Sequence, residues 1–268
     1  MADATPTDVP LDLFQRHVGT ITSYRSAENG YMSDLLMFVD TDAGRWFVKG
    51  QRNRPGGRLE SLQREALINP YVQPIAPKLH WQLEDDQWVL LVFEAVKGRP
   101  AHFDPGAEDL PLIISTLRRI PKISPPDFTA GWTEDRWDRF TDDSALFRGG
   151  TLLYTDLNAD NFLVTETTVR LADWAWPTVG AGFIDPALLV MQLVAAHHTP
   201  EGAEQAVAQC EQWHRADSTA IDAFCIANVN MWAAYCAKDP TAGWKKAMLA
   251  ACQRWAEYRG IAPPAEDN

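Results

Sequence analysis

A chain of 268 residues, 46% of them hydrophobic, can bury the core of one large or two small domains. It has no run of about 18 apolar residues, which excludes a membrane-spanning helix. The opening MADATPTDVPLDLF lacks the basic and apolar regions of a signal peptide, so the chain is expected in the cytoplasm. A net charge of −12 argues against a nucleic-acid partner, and the acidic excess is larger after Val96, which suits a cationic small molecule.

In chain order, Thr20–Ser26, Leu35–Val39 and Arg45–Lys49 read as short strands parted by the turn-rich NGYMSD and TDAG. A basic Gly-rich loop, RNRPGGR, leads into a helical stretch from Leu59 to Ile68 that stops near Pro70. Two further strands, Leu79–Leu83 and Trp88–Phe93, flank EDDQ. After Lys97-Gly98-Arg99-Pro100 the apolar residues take helical spacing in Leu110–Ile120, Pro186–Ala196, Glu201–Arg215, Ala220–Cys236 and Thr241–Tyr258. Among these helices lies a small β island of Thr151–Tyr154, Phe162–Thr165 and Val169–Ala172. The pattern predicts an α+β protein of two lobes. Residues 1–96 form a β-rich N-lobe and 97–268 a mainly helical C-lobe, with ligands expected in the cleft between them.

Cys210, Cys225, Cys236 and Cys252 all fall in helical stretches of the last quarter, with no CxxC pair, and read as buried reduced thiols. The pair His197-His198 has no metal-site spacing and is assigned to a helix surface.

The most specific signal is LLYTDLNADNFLV followed by VRLADW. Asp156 and Asn161 share a polar loop between two apolar runs, and Asp173 ends the next run. Phosphoryl transfer needs a carboxylate to take the proton of an attacking hydroxyl, and oxygen ligands for the magnesium that bridges the phosphates. Each residue alone is an ordinary loop residue. Together, Asp156 as base and Asn161 with Asp173 as metal ligands fit that chemistry.

These motifs resemble those of the aminoglycoside phosphotransferase and choline kinase-like families, whose members have a protein-kinase-like fold. Their loop is usually H-G-D-x-x-x-x-N and their metal motif I-D-[FW]. Here Tyr154-Thr155-Asp156 leads to Asn161, and the second motif reads Ala172-Asp173-Trp174. Tyr154 takes the place of the usual histidine, and Asn158-Ala159-Asp160 that of His-Pro-Gly. The resemblance implies ATP, or GTP, with Mg²⁺ as cofactor. It implies that Lys49 anchors the nucleotide phosphates and that Glu65 pairs with Lys49.

It further implies that VLLVFEAVKG is the hinge. Phe93 would flank adenine, the Glu94 carbonyl would accept from its amino group, and the Val96 amide would donate to the ring. In the hairpin turn Glu28-Asn29-Gly30-Tyr31-Met32-Ser33, the candidate phosphate contact is Ser33. Asn158, Asp160, Trp174, Trp176 and Phe183 are candidates for the acceptor pocket, with core packing the alternative for the aromatics. Asp185 reads as a helix N-cap before Pro186 that also braces the loop. The expected activity is transfer of the γ-phosphate to a hydroxyl of an antibiotic or natural product, in resistance or biosynthesis. A kinase for choline, another amine or a sugar, and a weakly catalytic binding module, are the alternatives.

Overall fold

The computed structural model describes residues 10–27, 33–73 and 75–261. The chain divides into two compact units. One runs to Lys97 and takes in Leu171–Trp176; the other holds Gly98–Arg170 and the chain from Pro177 onward.

The first unit begins with helix α1 (Leu11–Val18) and is built on five antiparallel strands: β1 (Ile21–Ser26), β2 (Leu35–Thr41), β3 (Gly44–Arg52), β4 (Leu79–Glu84) and β5 (Trp88–Glu94). Their spatial order is β1-β2-β3-β5-β4. Helix α2 (Gly57–Ile68) follows β3. Side chains alternate along a strand, so β5 divides its residues between two faces. Trp88, Leu90 and Val92 pack with Phe14 and Val18 of α1. Val89, Leu91 and Phe93 pack with Leu59, Leu62 and Ala66 of α2. A strand covered on both faces reads as one unbroken apolar run, which is why β5 is plain in the sequence. Helix α1 is not. It has eight residues after Pro10, and its side-chain N-cap is missing, so no start signal marks it.

The second unit carries the helices α3 (Leu110–Leu117), α4 (Ile184–Ala195), α5 (Pro200–Val207), α6 (Glu211–His214), α7 (Ser218–Lys238) and α8 (Gly243–Tyr258). Its short strands are β6 (Arg99–Pro100), β7 (Thr151–Leu153), β8 (Phe162–Val164), β9 (Val169–Leu171) and β10 (Thr178–Gly180). β7 pairs with β10, and β6, β8 and β9 form a three-stranded sheet. Strands β6 and β10, each at most three residues long, escape any periodicity count. The stretch expected as helix to Ile120 stops at Leu117, and a 3-10 turn, Ile120–Lys122, forms around Pro121. The single helix expected over Glu201–Arg215 is two, parted at Cys210, whose backbone is extended and whose side chain is buried.

The core of this unit centres on Phe224 of α7. Trp137, Phe147 and Phe183 surround it at ring-centroid distances of 4.6, 5.3 and 5.8 Å. The Trp137 indole N–H donates to Asn228 Oδ1 at 2.9 Å, which satisfies both buried polar groups.

All four cysteines are free, and Cys210, Cys225 and Cys252 are buried, whereas Cys236 is only half-buried. Burial pushes the Cys225 thiol up to about 12 and the Cys210 thiol to about 11, so neither is a ready nucleophile. His197 and His198 lie past the end of α4, not on a helix surface. His197 has φ +75°, and His198 Nε2 sits 2.8 Å from the Phe103 carbonyl oxygen. Among the described residues no helix is long and apolar enough to cross a membrane.

Candidate active site

Strand β3 places Lys49. Val48 points into the α1 face of the sheet, so its neighbour must point toward α2. There the Lys49 ammonium lies 2.8 Å from Glu65 Oε2 of α2 and 2.6 Å from Asp173 Oδ1. Lys49 and Glu65 are 7% and 4% exposed, so neither charge could be carried there without the other. Burial alone would lower the Lys49 pKa. The carboxylates of Glu65 and Asp173 outweigh it, and the pKa is raised above the usual lysine value. Burial raises the pKa of Glu65 against the opposing pull of Lys49. An ammonium has three N–H donors. Two are committed here, which leaves one for a phosphate oxygen.

Asp173 reaches Lys49 from a left-handed turn, φ +57°, directly after β9. The Leu171 N–H donates to the Ile75 carbonyl at 2.6 Å, and the Trp174 indole N–H to the Leu171 carbonyl at 3.0 Å. That indole is 1% exposed, so Trp174 anchors the turn, which is the core-packing alternative for this residue. Phe183 is likewise core, packed on Phe224. Trp176 is 43% exposed, with the Arg64 guanidinium 5.2 Å from its ring centre.

In the second unit, Asp156 is exposed on the loop after β7. Two amides hold its carboxylate: Asn158 Nδ2 donates to Oδ1 at 3.0 Å and Asn161 Nδ2 to Oδ2 at 2.8 Å. Asn158 Oδ1 accepts the Asp160 N–H at 3.0 Å and caps the 3-10 turn Ala159–Asn161. Asn158 is thus engaged in holding the loop, while Asp160 is exposed.

Asp185 is the second residue of α4, not its N-cap, since the helix starts one residue earlier. Its carboxylate accepts the backbone N–H of Tyr154 and of Thr155, each at 2.9 Å. Burial pushes the Asp185 carboxyl up to about 6, against the lowering effect of those two N–H groups. Tyr154 is buried. Thr155 has φ +65°, a region that a β-branched residue enters at a cost of roughly 1–3 kcal/mol.

Sequence reasoning missed a contact on this loop. Arg136 Nη2 donates to Thr155 Oγ1 at 3.1 Å. Arg136 lies in an irregular stretch of 3-10 turns where no periodicity operates. The one signal is a charged run between tryptophans, WTEDRW.

The hinge candidates lie at the end of β5. Phe93 is buried; Glu94 Oε1 accepts the Lys78 N–H at 2.9 Å; Val96 is half-buried, and its N–H has no acceptor among the described residues. Ser33 is half-buried just before β2, and the rest of its turn, Glu28 to Met32, lies outside the described residues.

Asn161 and Asp173, each within its own unit, carry oxygens of the kind that would suit magnesium. Asn161 Nδ2 is turned to Asp156, which leaves Asn161 Oδ1 with no donor among the described residues. Asp173 Oδ1 takes Lys49, and its other oxygen belongs to a side chain that is 43% exposed. Magnesium is held through one or two such oxygens plus phosphate, not by a dedicated protein cage.

A sheet flanked by α2, with a Lys–Glu pair between them, and a helical unit with a D-x-x-x-x-N loop are the parts of a protein-kinase-like fold. Solved structures bear this out. Choline kinase LicA from Streptococcus pneumoniae matches at TM-score 0.64 and 13% identity, over 92% of this chain and 98% of its own. An aminoglycoside phosphotransferase from Alicyclobacillus acidocaldarius matches at TM-score 0.62 and 15% identity, over 94% and 93%. A thermostable variant of aminoglycoside phosphotransferase APH(4)-Ia, in ternary complex with ADP and hygromycin B, matches at TM-score 0.54 and 12% identity, over 91% and 98%. LicA is also matched in complex with AMP. No family model matches the chain, and no curated protein does.

Proposed function

We propose that the chain is an ATP-dependent phosphotransferase that moves the γ-phosphate to a hydroxyl of a small molecule. One observation carries this: a buried lysine bonded at once to a helix glutamate and to the aspartate that follows β9. A purely structural lysine in a sheet has no need of a second, exposed carboxylate.

In this reading Lys49 places the α- and β-phosphates, and Glu65 holds Lys49. Phe93 flanks the adenine, the Glu94 carbonyl and Val96 N–H bond its edge, and Ser33 touches a phosphate. Asp173 and Asn161 hold magnesium, which when bound neutralises phosphate charge. Asp156, fixed by Asn158 and Asn161, orients the acceptor hydroxyl. As the new oxygen–phosphorus bond forms and the bond to the β–γ bridging oxygen breaks, Asp156 takes the hydroxyl proton and ADP departs. Positioning and charge neutralisation supply most of the rate. GTP is an alternative donor.

The acidic chain favours a cationic acceptor. An antibiotic or natural product is one class, since a matched structure holds hygromycin B. Choline or another primary metabolite is the other, since the matched LicA is a choline kinase. The deciding experiment is γ-phosphate transfer from labelled Mg-ATP to a panel of aminoglycosides, macrolides, choline, ethanolamine and sugars. Transfer that disappears in Asp156→Ala supports the proposal. Mg-ATP binding with no transfer to any acceptor would favour a binding module instead.

A further inference from the structure

We infer that Arg136 is a positioning residue for Asp156, acting by locking Thr155 in its left-handed backbone conformation. Its consequence for turnover rests on the phosphotransferase proposal above; its geometry does not.

Thr155 is the residue immediately before Asp156, so its backbone torsions aim the carboxylate. At φ +65° its Cβ is crowded, and a β-branched residue stays there only where its surroundings over-determine it. Backbone contacts alone come from Asp185, which accepts from Tyr154 N and Thr155 N. The Thr155 side chain is held by Arg136, whose Nη2 donates to the hydroxyl oxygen at 3.1 Å.

Arg136 is itself fixed from below. Its backbone N–H donates to Glu134 Oε1 at 2.9 Å, and its guanidinium lies 3.7 Å from Glu134 Oε2. Glu134 is 1% exposed; it takes the Thr178 hydroxyl at 2.6 Å on Oε2 and the Arg148 guanidinium at 2.6 Å on its carbonyl. The Arg136 guanidinium also lies 5.2 Å from the ring centre of Trp137, which is bonded to Asn228. One end of Arg136 is therefore tied to the core of the unit, and the other grips the loop. An arginine held this way is a fixed point from which a strained threonine can be held.

The test separates the Thr155 hydroxyl from its Cβ. Amide hydrogen exchange at Tyr154 and Thr155 reports opening of the loop, and ATP turnover reports the aim of Asp156. Arg136→Met should speed that exchange and lower kcat by about tenfold, with KM for ATP little changed. Thr155→Ala, which loses the hydroxyl but keeps the crowded Cβ, should behave like Arg136→Met. Thr155→Gly, which reaches positive φ without strain, should lose less than Thr155→Ala, and adding Arg136→Met to it should cost little more.

Unchanged exchange in Arg136→Met would overturn the proposal. So would faster exchange with unaltered kcat, or a full Arg136→Met loss that persists beside Thr155→Gly. Absence of any ATP turnover in the wild type would count against the phosphotransferase reading instead, and the exchange arm would still decide whether Arg136 holds the loop.

Discussion

The Lys49 ammonium lies 2.6 Å from a carboxylate oxygen of Asp173, 124 positions away in the chain, while bonded at 2.8 Å to buried Glu65. One cation thus joins a strand, a helix and the turn after β9. Glu65 is buried and Asp173 is partly open to solvent, so loss of the lysine falls hardest on Glu65.

Lys49→Met should therefore cost stability as well as nucleotide binding. It leaves Glu65, 4% exposed, to be buried either charged and unpaired or protonated. A loss of about 2 kcal/mol or more is expected in denaturant unfolding. Lys49→Met/Glu65→Gln should recover part of that loss, because the orphaned charge is gone. A double variant no more stable than Lys49→Met would speak against a mutual charge balance.

Asp156→Ala should abolish transfer while Mg-ATP binding stays close to wild type, because Asp156 is exposed and its carboxylate accepts from Asn158 and Asn161 of its own loop. Titration calorimetry beside the transfer assay checks both halves. Retained transfer would remove Asp156 from the role of base.

Asp185 sets a pH dependence of stability. Its pKa stands at about 6 in the folded chain against an ordinary 3.8, because it is buried. Between those values the folded state holds a proton that the unfolded state has lost. The group's contribution is full below the ordinary value and is lost as pH rises through about 6. The stability of the wild type relative to Asp185→Asn should fall by up to roughly 3 kcal/mol from about pH 4 to pH 7. A gap that does not change with pH would show that the carboxyl titrates normally.

Gly98 stands at the start of the second unit where no Cβ fits. An added Cβ would meet the Val164 carbonyl oxygen at 2.8 Å and its carbon at 3.2 Å, both rigid backbone atoms of β8. Gly98→Ala should cost about 1–3 kcal/mol, with thermal unfolding as the check. Gly106→Ser is a useful contrast for φ alone, since Gly106 has φ +84° with nothing within 4 Å of its added Cβ. A Gly98→Ala protein as stable as wild type would mean that β8 yields.

The parts of this arrangement legible in the sequence are those where chemistry or burial forces a local pattern. The doubly covered β5 reads as an apolar run, and the pairing of Lys49 with Glu65 is legible only through the family resemblance, with the one on a strand and the other on the helix after it. Asp156, Asn161 and Asp173 stand out because polar residues interrupt apolar strands. What stayed hidden depends on packing between distant segments. Asp185 before Pro186 reads as a cap that also braces the loop; the carboxylate does hold the loop, but α4 begins at Ile184, so it caps nothing. For Trp174 the sequence left pocket wall and core packing both open, and only the fold shows its indole buried against its own turn. Glu134 and Arg136 lie in irregular backbone, where no period marks what faces inward.

The central claim is that Lys49 and Asp173 together serve a nucleotide and its divalent ion. Calorimetric titration of ATP into the wild type and Asp173→Asn, each with and without magnesium, tests it most directly. ATP binding that magnesium strengthens in the wild type but not in Asp173→Asn is the expected result. No ATP binding by the wild type, or binding that ignores both magnesium and Asp173, would contradict it.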